Sequence, residues 1–201
     1  MGQVARTGSY SAFSEAFRDF VVAMQACEDP QDGPRDERER ALRDLLASGE
    51  GPTLEFKSSL RWDCRSEKRS EKLQENTLKT IAALMSFDEG TLLLGVRDDG
   101  EPLGLNGDYS TLQKKNQNGF GLLLMDLIAA HLGKRFCQRV ELTLQSLGGF
   151  EVCRVDVQRS REPAYVGKER RFSIRAGNSS RQLTTEEAVT YAGMHWESSS
   201  A

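Results

Sequence analysis

Four ionisable residues in this 201-residue chain have the types and the spacing that phosphodiester chemistry needs. Glu50 lies among glycines, Glu55 and Lys57 follow two residues apart, and Asp98 comes shortly after an apolar run. Carboxylates can hold Mg²⁺ or Mn²⁺, and a nearby lysine can stabilise charge that develops on a phosphate. The pattern therefore raises the hypothesis of a metal site made by Glu50, Glu55 and Asp98, with Lys57 on the phosphate side.

A structural interpretation of the same residues stays open. Glu55 and Lys57 alternate with Leu54 and Phe56, which is typical of a half-buried strand with a solvated face. Asp98 begins an Asp-Asp-Gly sequence, which has the composition of a tight turn. Spacing alone favours this structural interpretation over the metal site.

A second candidate site is the basic stretch at residues 154–181, in a chain whose formal net charge is −3. Such an excess of Lys and Arg is typical of surfaces that bind phosphate backbones, and the small residues at 176–180 would allow close approach. The alternative is an ordinary solvated face. The residues that we predict to contact nucleic acid are Arg170, Arg171, Arg175, Asn178, Ser179 and Arg181.

Other kinds of site have little support in the sequence. His131 and His195 lie near predicted helix ends, where a contact with the helix dipole accounts for each. The four cysteines include no Cys-x-x-Cys pair, so we expect reduced thiols rather than disulfides or a zinc site. The sequence contains neither of the glycine-rich motifs that bind nucleotide phosphates, so no motif indicates nucleotide-driven chemistry.

Apolar periodicity predicts the helices that would support these sites. The first helix spans about residues 9–27, carries an aromatic stripe and precedes a turn-rich linker. The second begins near Asp36, a possible N-cap, and ends at Ser48. Further helices are predicted at 72–86, at about 120–131, and after a capping box made by Thr184 and Glu187.

Alternating and continuous apolar runs predict the strands. The run at 91–96 is nearly continuous and therefore predicts a central strand, whereas the polar segment at 58–71 predicts a mobile loop. Irregular interleaving of strands and helices predicts an α+β fold, with a mixed β-sheet and flanking helices behind an N-terminal amphipathic helix. The predicted strands lie at 54–57, 91–96, 136–144, 150–157, 164–166 and 171–175.

The predicted domain organisation is simple. Residues 1–35 form the helix and linker, residues 36–197 the nucleic-acid-binding domain, and residues 198–201 a tail. No apolar run is long enough to span a bilayer, and the N-terminus does not have the apolar core of a signal peptide. We therefore expect a cytoplasmic protein without a membrane partner.

Several motifs follow one another in an order that resembles the AlbA-type DNA-binding domain shared with the Schlafen core. The resemblance covers roughly residues 42–196 and leaves the first helix outside. The motifs are Gly49-Glu50, Leu54-Glu55-Phe56-Lys57-Ser58, residues 78–84, residues 89–96, Gly104-Leu105, Asp108-Tyr109 and residues 172–181.

This resemblance implies an α+β domain that binds nucleic acid and pairs with a second copy, which here would mean a homodimer over structured RNA. Family members with nuclease activity use two glutamates and an aspartate with a divalent metal to cut transfer or ribosomal RNA. Glu50 and Glu55 match the glutamate pair, and Asp98, or else Asp99, would supply the third acid. The zinc site of animal Schlafens and the second lobe have no counterpart in this sequence.

The prediction that results is a divalent-metal-dependent endoribonuclease acting on structured RNA such as tRNA, with RNA favoured over DNA. Two alternatives stay open. The chain could be a non-catalytic DNA-binding or regulatory module, in which the acids are structural. It could also be an interaction or assembly protein that uses its N-terminal aromatic helix.

Overall fold

The computed structural model describes residues 34–196, so the predicted aromatic helix and most of its linker lie outside the described residues. The contacts discussed below lie within residues 41–196, and the predicted domain boundaries stay predictions. The described helices are α1 (Pro34–Ser48), α2 (Glu71–Met85), α3 (Asn106–Ser110), α4 (Gln117–His131) and α5 (Thr185–Trp196), with a 3₁₀ helix at Lys134–Arg139.

The strands form a mixed four-stranded sheet and two small antiparallel sheets. The main sheet has the order β1-β4-β6-β5, in which β1 runs parallel to β4 and the other neighbours are antiparallel. This arrangement confirms the predicted α+β class and mixed sheet. The strands are β1 (Leu54–Lys57), β2 (Trp62–Asp63), β3 (Lys68–Arg69), β4 (Glu89–Leu94), β5 (Val140–Leu147), β6 (Phe150–Gln158), β7 (Tyr165–Val166), β8 (Arg171–Ala176) and β9 (Ser179–Gln182).

Strand β4 lies at the centre of the core, because side chains cover both of its faces. Leu92 and Leu94 belong to a large cluster with α2 and α4, whereas Leu93 packs with Leu42 and Phe56 on the other face. All three leucines are fully buried, and each burial contributes about 1.5–3 kcal/mol. The prediction of a central strand at this position is confirmed.

Most helix predictions are confirmed, with shifted starts at α1 and α4, whereas the short helix α3 was not predicted. Ser70 caps α2 by accepting a hydrogen bond from the Leu73 N–H at 3.4 Å, and the capping box between Thr184 and Glu187 opens α5. Helix α1 begins at Pro34 rather than near Asp36, in keeping with the preference for proline in the first turn of a helix. No helix in residues 34–196 is long and apolar enough to cross a membrane.

The segment predicted as a mobile loop at 58–71 instead contains a short hairpin, made by β2 and β3. Its first residues are fixed by the buried Asp108 carboxylate, which accepts hydrogen bonds from the N–H groups of Leu60 at 2.9 Å, Arg61 at 2.9 Å and Trp62 at 3.1 Å. Polar composition led to the prediction of a loop, but these three bonds supply an anchor that composition does not reveal.

Strands β7, β8 and β9 form a separate small sheet that packs beside α2 and under α5. Phe172 of β8 contacts the rings of Tyr191 and Trp196 with centroids 5.8 and 6.0 Å away. The Tyr191 hydroxyl donates a hydrogen bond to the Ser86 carbonyl at 2.9 Å, which ties α5 to the end of α2. Strand β9 was not predicted from the sequence, because its residues Ser179–Gln182 contain no apolar side chain.

Candidate carboxylate site and nucleic-acid interface

Glu50 covers the open edge of β1, the end strand of the main sheet. Gly49, with a φ of +70°, ends α1 and turns the chain back along this edge. The Gly51 N–H then donates to the Leu54 carbonyl at 2.9 Å, and the Glu50 Oε1 accepts from the Phe56 N–H at 2.7 Å. The Glu50 carboxylate therefore satisfies a backbone group that an end strand would otherwise leave unpaired.

Glu55 lies between two cations on the face of β1 opposite Phe56. Its Oε1 accepts a hydrogen bond from Lys57 Nζ at 2.8 Å, and its Oε2 accepts one from Arg175 Nη1. Burial alone would raise the pKa of Glu55, but the hydrogen bonds and charges of Lys57 and Arg175 outweigh burial and lower the pKa below its usual value. Glu55 is therefore held as a carboxylate at neutral pH.

Arg175 is the most completely enclosed cation of the site, with a side-chain exposure of 0% against 12% for Glu55. Its guanidinium donates to the carbonyls of Gly51 at 2.7 Å and Pro52 at 3.1 Å, and to Ser180 Oγ at 3.3 Å. With the Glu55 bond, these contacts occupy the guanidinium fork. We predicted that Arg175 would hold a nucleic-acid backbone, because a charged side chain in a basic stretch is usually exposed. The structure does not fit this prediction, since the Arg175 guanidinium is buried against Glu55.

Asp98 lies in an exposed turn at the end of β4. Within this turn the Gly100 N–H donates to the Arg97 carbonyl at 2.9 Å, and the Asp99 Oδ1 accepts from the Glu101 N–H at 3.1 Å. A single antiparallel bridge between Val96 and Pro102 follows. The formation of this turn is therefore sufficient to account for Asp98 and Asp99 at these positions.

The predicted trio of metal ligands is not assembled in the described part of the chain. Between residues 34 and 196, no three His, Cys, Asp or Glu side chains come together as a possible metal site. The free oxygens are also few, since Glu50 is bonded to a backbone N–H and both Glu55 oxygens meet cations. An added dication would be repelled by each of those cations by about 4 kcal/mol per unit charge at 4 Å and an effective dielectric of about 20. As arranged, Glu50, Glu55 and Asp98 do not fit a divalent metal.

Four other predicted contact residues are on the surface around β7–β9. Arg170, Asn178, Ser179 and Arg181 are all exposed. Arg170 adopts a φ of +53° and places its guanidinium 4.7 Å from the ring centre of Tyr165. Asn178 and Ser179 lie at the β8–β9 turn, which Gly177 enters with a φ of +64°. These residues are accessible to a polymer.

Arg171, also predicted, is exposed but has an acidic neighbour. Its Nε donates to Glu169 Oε2 at 2.7 Å, with side-chain exposures of 48% and 71%. Surface pairs of this kind are weak and are screened by salt, so Arg171 can exchange its partner for a phosphate at small cost.

A cleft of about 450 Å³ opens between α2, the end of α4 and the turn before β8. Its basic side chains and its histidine are Lys79, His131, Lys168 and Arg171, from these three separate parts of the fold. Glu71 and Glu75 of α2 and Glu169 of the turn before β8 also line it, so the cleft is polar rather than uniformly basic. Lys79 and His131 were not predicted as contact residues, because only the packing of α2 and α4 brings them beside β8. Lys168 belongs to the predicted basic stretch but was not among the residues predicted to contact nucleic acid. Arg181 lies on β9 opposite Ile174 and does not line this cleft.

His195 and the cysteines were also considered from the sequence. His195 lies 4.9 Å from the Tyr191 ring centre and 3.2 Å from Arg159 Nη2, at the end of α5 as predicted. Cys64, Cys137 and Cys153 are free thiols, and Cys27 lies outside the described residues.

A family model described as Schlafen, AlbA_2 matches residues 50–184, which is more than half of the chain. Among solved structures, the DIP2311 protein from Corynebacterium diphtheriae matches with a TM-score of 0.51 and 17% identity over 81% of this chain. The matched region is 33% of DIP2311, so this chain spans about a third of that protein, and the likeness concerns the fold alone.

The N-terminal domain of a RecG-related protein from Nitrosomonas europaea matches 72% of this chain and 93% of its own, with a TM-score of 0.43 and 20% identity. No curated protein matches this chain.

Proposed function

We propose that this chain, which belongs to the Schlafen AlbA_2 family, binds nucleic acid through the exposed basic residues beside the α2–β8 cleft. The observation that carries the proposal is the exposure of Lys168 and Arg170 in the turn between β7 and β8 and of Arg171 at the start of β8, with Lys168 and Arg171 lining that cleft. Phosphate backbones are bound by such clustered, solvated cations.

The charge balance of this region supports binding there rather than elsewhere. Residues 165–182 contain a single acid, Glu169, in a chain that is acidic as a whole. The one buried cation of these residues, Arg175, is neutralised by Glu55, so the exposed charge of the region comes from its other basic residues. Those residues are Lys168, Arg170, Arg171 and Arg181.

The proposal is tested by measuring the affinity of the full chain for a folded tRNA, a single-stranded DNA and a duplex DNA as the salt concentration is raised. The variant carries Lys168→Gln, Arg170→Gln and Arg171→Gln together. We expect affinity at low salt to fall by at least about 10-fold. The salt slope for the duplex should also fall, by roughly 0.9 for each phosphate that the variant no longer neutralises.

A matched control removes three exposed positive charges at other positions, by Lys114→Gln, Lys115→Gln and Lys134→Gln. This control should keep nearly the full affinity and salt slope. Equal weakening in both triple variants would show that only net charge matters, which would contradict the assignment of this surface. Equal affinities for the three probes would count against the predicted preference for RNA.

Metal-dependent cleavage of structured RNA stays a prediction that comes from the family resemblance. The homodimer and the cytoplasmic location also stay predictions. Because Glu50, Glu55 and Asp98 do not fit a metal as arranged, no catalytic step is assigned to them. The same probes incubated with Mn²⁺, Mg²⁺ or EDTA test cleavage directly. Binding without cutting under all three conditions would favour the DNA-binding or regulatory alternative, and light scattering would measure the number of chains per particle.

A further inference from the structure

We infer that Glu55 is a positioning residue which, through Arg175, fixes the β8–β9 hairpin in place, without any metal. The inference deepens the proposed function and rests on it only for its effect on binding. It comes from the disagreement between the predicted metal site and the contacts observed around Glu55.

The first step of the argument is the separation in sequence between the parts that Arg175 joins. Arg175 lies on β8, 120 residues after Glu55 on β1 and 123 residues after Pro52 in the loop that covers the β1 edge. The single guanidinium therefore contacts a strand, a loop and, through Ser180, the neighbouring strand β9. Strand β8 does not belong to the main sheet, so no backbone ladder joins it to β1.

The second step is that only a guanidinium can donate to this set of acceptors. Its Nε, Nη1 and Nη2 each donate to a different protein oxygen, and the two loop carbonyls come from consecutive residues, Gly51 and Pro52. A lysine could keep the charge beside Glu55 but could not reach all of these acceptors at once. The contact thus depends on the arginine fork and on a charged Glu55, rather than on apolar packing alone.

The third step connects this contact to the binding surface. Two exposed basic residues of the proposed binding region lie on the same hairpin as Arg175: Arg171 at the start of β8 and Arg181 on its partner β9. If the hairpin moves relative to α2, these cations move with it and the cleft changes shape. Glu55 would therefore influence binding although it does not itself contact the polymer.

The experiment measures hydrogen exchange by mass spectrometry on the full chain, in EDTA and again with Mn²⁺, for Glu55→Gln, Arg175→Lys and Arg175→Met. We expect amides in residues 51–57 and 171–182 to exchange at least about 10-fold faster in Glu55→Gln and Arg175→Met, equally with and without Mn²⁺. Arg175→Lys should restore part of the protection. Glu162→Gln, which removes the acid from the exposed ion pair with Arg135, is the matched control and should exchange as the unmodified chain does.

Nucleic-acid affinity is then measured on the same proteins with the tRNA probe. Faster hairpin exchange supports the inference whether or not the chain binds the probe, and absence of binding in the unmodified chain would count against the proposed function alone. Unchanged hairpin exchange in EDTA for both Glu55→Gln and Arg175→Met would overturn the inference. It would also be overturned if Mn²⁺ protected residues 50–57 of the unmodified chain saturably and this protection disappeared in Glu55→Gln.

Discussion

Glu55 and Asp108 are both largely buried acids, yet their surroundings shift their pKa values in opposite directions. Burial alone would raise both pKa values, and at Asp108 burial outweighs three backbone N–H bonds and the charge of Arg61, so that its pKa is raised. At Glu55 the bonds and charges of Lys57 and Arg175 outweigh burial, and the pKa is lowered. Asp108 is also more deeply buried than Glu55, so the two cations that contact Glu55 offset a smaller desolvation cost than the one that the N–H donors and the charge of Arg61 fail to offset at Asp108.

The two carboxylates also accept hydrogen bonds from different kinds of donor. Asp108 binds the main chain of Leu60, Arg61 and Trp62, and so connects α3 to the start of the β2–β3 hairpin through backbone groups alone. Glu55 binds side chains, and through Arg175 it connects β1 to a sheet that is otherwise separate. We therefore expect removal of the Glu55 carboxylate to affect β1 and the β8–β9 hairpin, and removal of the Asp108 carboxylate to affect the segment at residues 60–69.

The largest effect on stability is expected from Arg175→Met. This change leaves Glu55 with Lys57 alone and removes the donors from the Gly51 and Pro52 carbonyls. Breaking a buried ion pair from one side costs about 3–5 kcal/mol. Urea unfolding followed by circular dichroism measures the loss, and a loss below about 1 kcal/mol would show that the pair contributes no more than a surface ion pair.

A smaller loss is expected from Asp108→Asn. The asparagine keeps one acceptor oxygen, but its NH₂ group faces N–H donors that it cannot satisfy. Leaving a buried donor without a partner costs about 1–3 kcal/mol. The same urea titration measures this loss. Hydrogen exchange should show faster exchange at residues 60–69 while the β8–β9 hairpin keeps its protection, and faster exchange in both regions would contradict the local role of Asp108.

The opposite pKa shifts predict opposite pH dependences of stability. Because the folded pKa of Glu55 is lowered, its contribution is complete above its unfolded pKa and is lost as the pH falls through its folded pKa. Because the folded pKa of Asp108 is raised, ionisation destabilises the fold as the pH rises from its unfolded pKa through its folded pKa.

Urea titrations between about pH 6 and about pH 3, across the usual carboxyl range, compare each variant with the unmodified chain. On lowering the pH, the stability advantage of the unmodified chain over Glu55→Gln should shrink, and its advantage over Asp108→Asn should grow. Slopes of the same sign would contradict the comparison of the two sites.

The smallest effect is expected from Glu169→Gln, which removes the acid from the exposed ion pair with Arg171. Exposed pairs contribute about 0–1 kcal/mol and are screened by salt, so the urea midpoint should change little. Affinity for tRNA should stay the same or rise, because Arg171 no longer shares its charge with Glu169. A large loss of stability would mean that the exposed and the buried pair are energetically alike.

Local patterns in the sequence predicted the parts of this site that are close in the chain. The alternation at residues 54–57 predicted the strand and the shared face of Glu55 and Lys57, which the 2.8 Å hydrogen bond confirms. The apolar run at 91–96 predicted the central strand, which the structure places parallel to β1.

The distant partners could not be predicted in the same way. A basic residue in a strand such as β8 has the same local pattern whether it points to solvent or, like Arg175, to a carboxylate 120 residues away. Asp108 likewise gave no signal, because a polar residue in a five-residue helix has no periodicity to mark it as buried. The local basic excess therefore indicated a binding region but could not separate its buried cation from its exposed ones.

A double-mutant cycle between Glu55 and Arg175 tests most directly whether these two residues act as one unit. Urea unfolding is measured in EDTA for the unmodified chain, Glu55→Gln, Arg175→Met and the double variant. We expect the two losses to be strongly non-additive, with an interaction energy of about 2–3 kcal/mol, because either substitution breaks the same ion pair. An interaction energy below about 0.5 kcal/mol, within the usual range for independent sites, would contradict the direct pairing of Glu55 with Arg175.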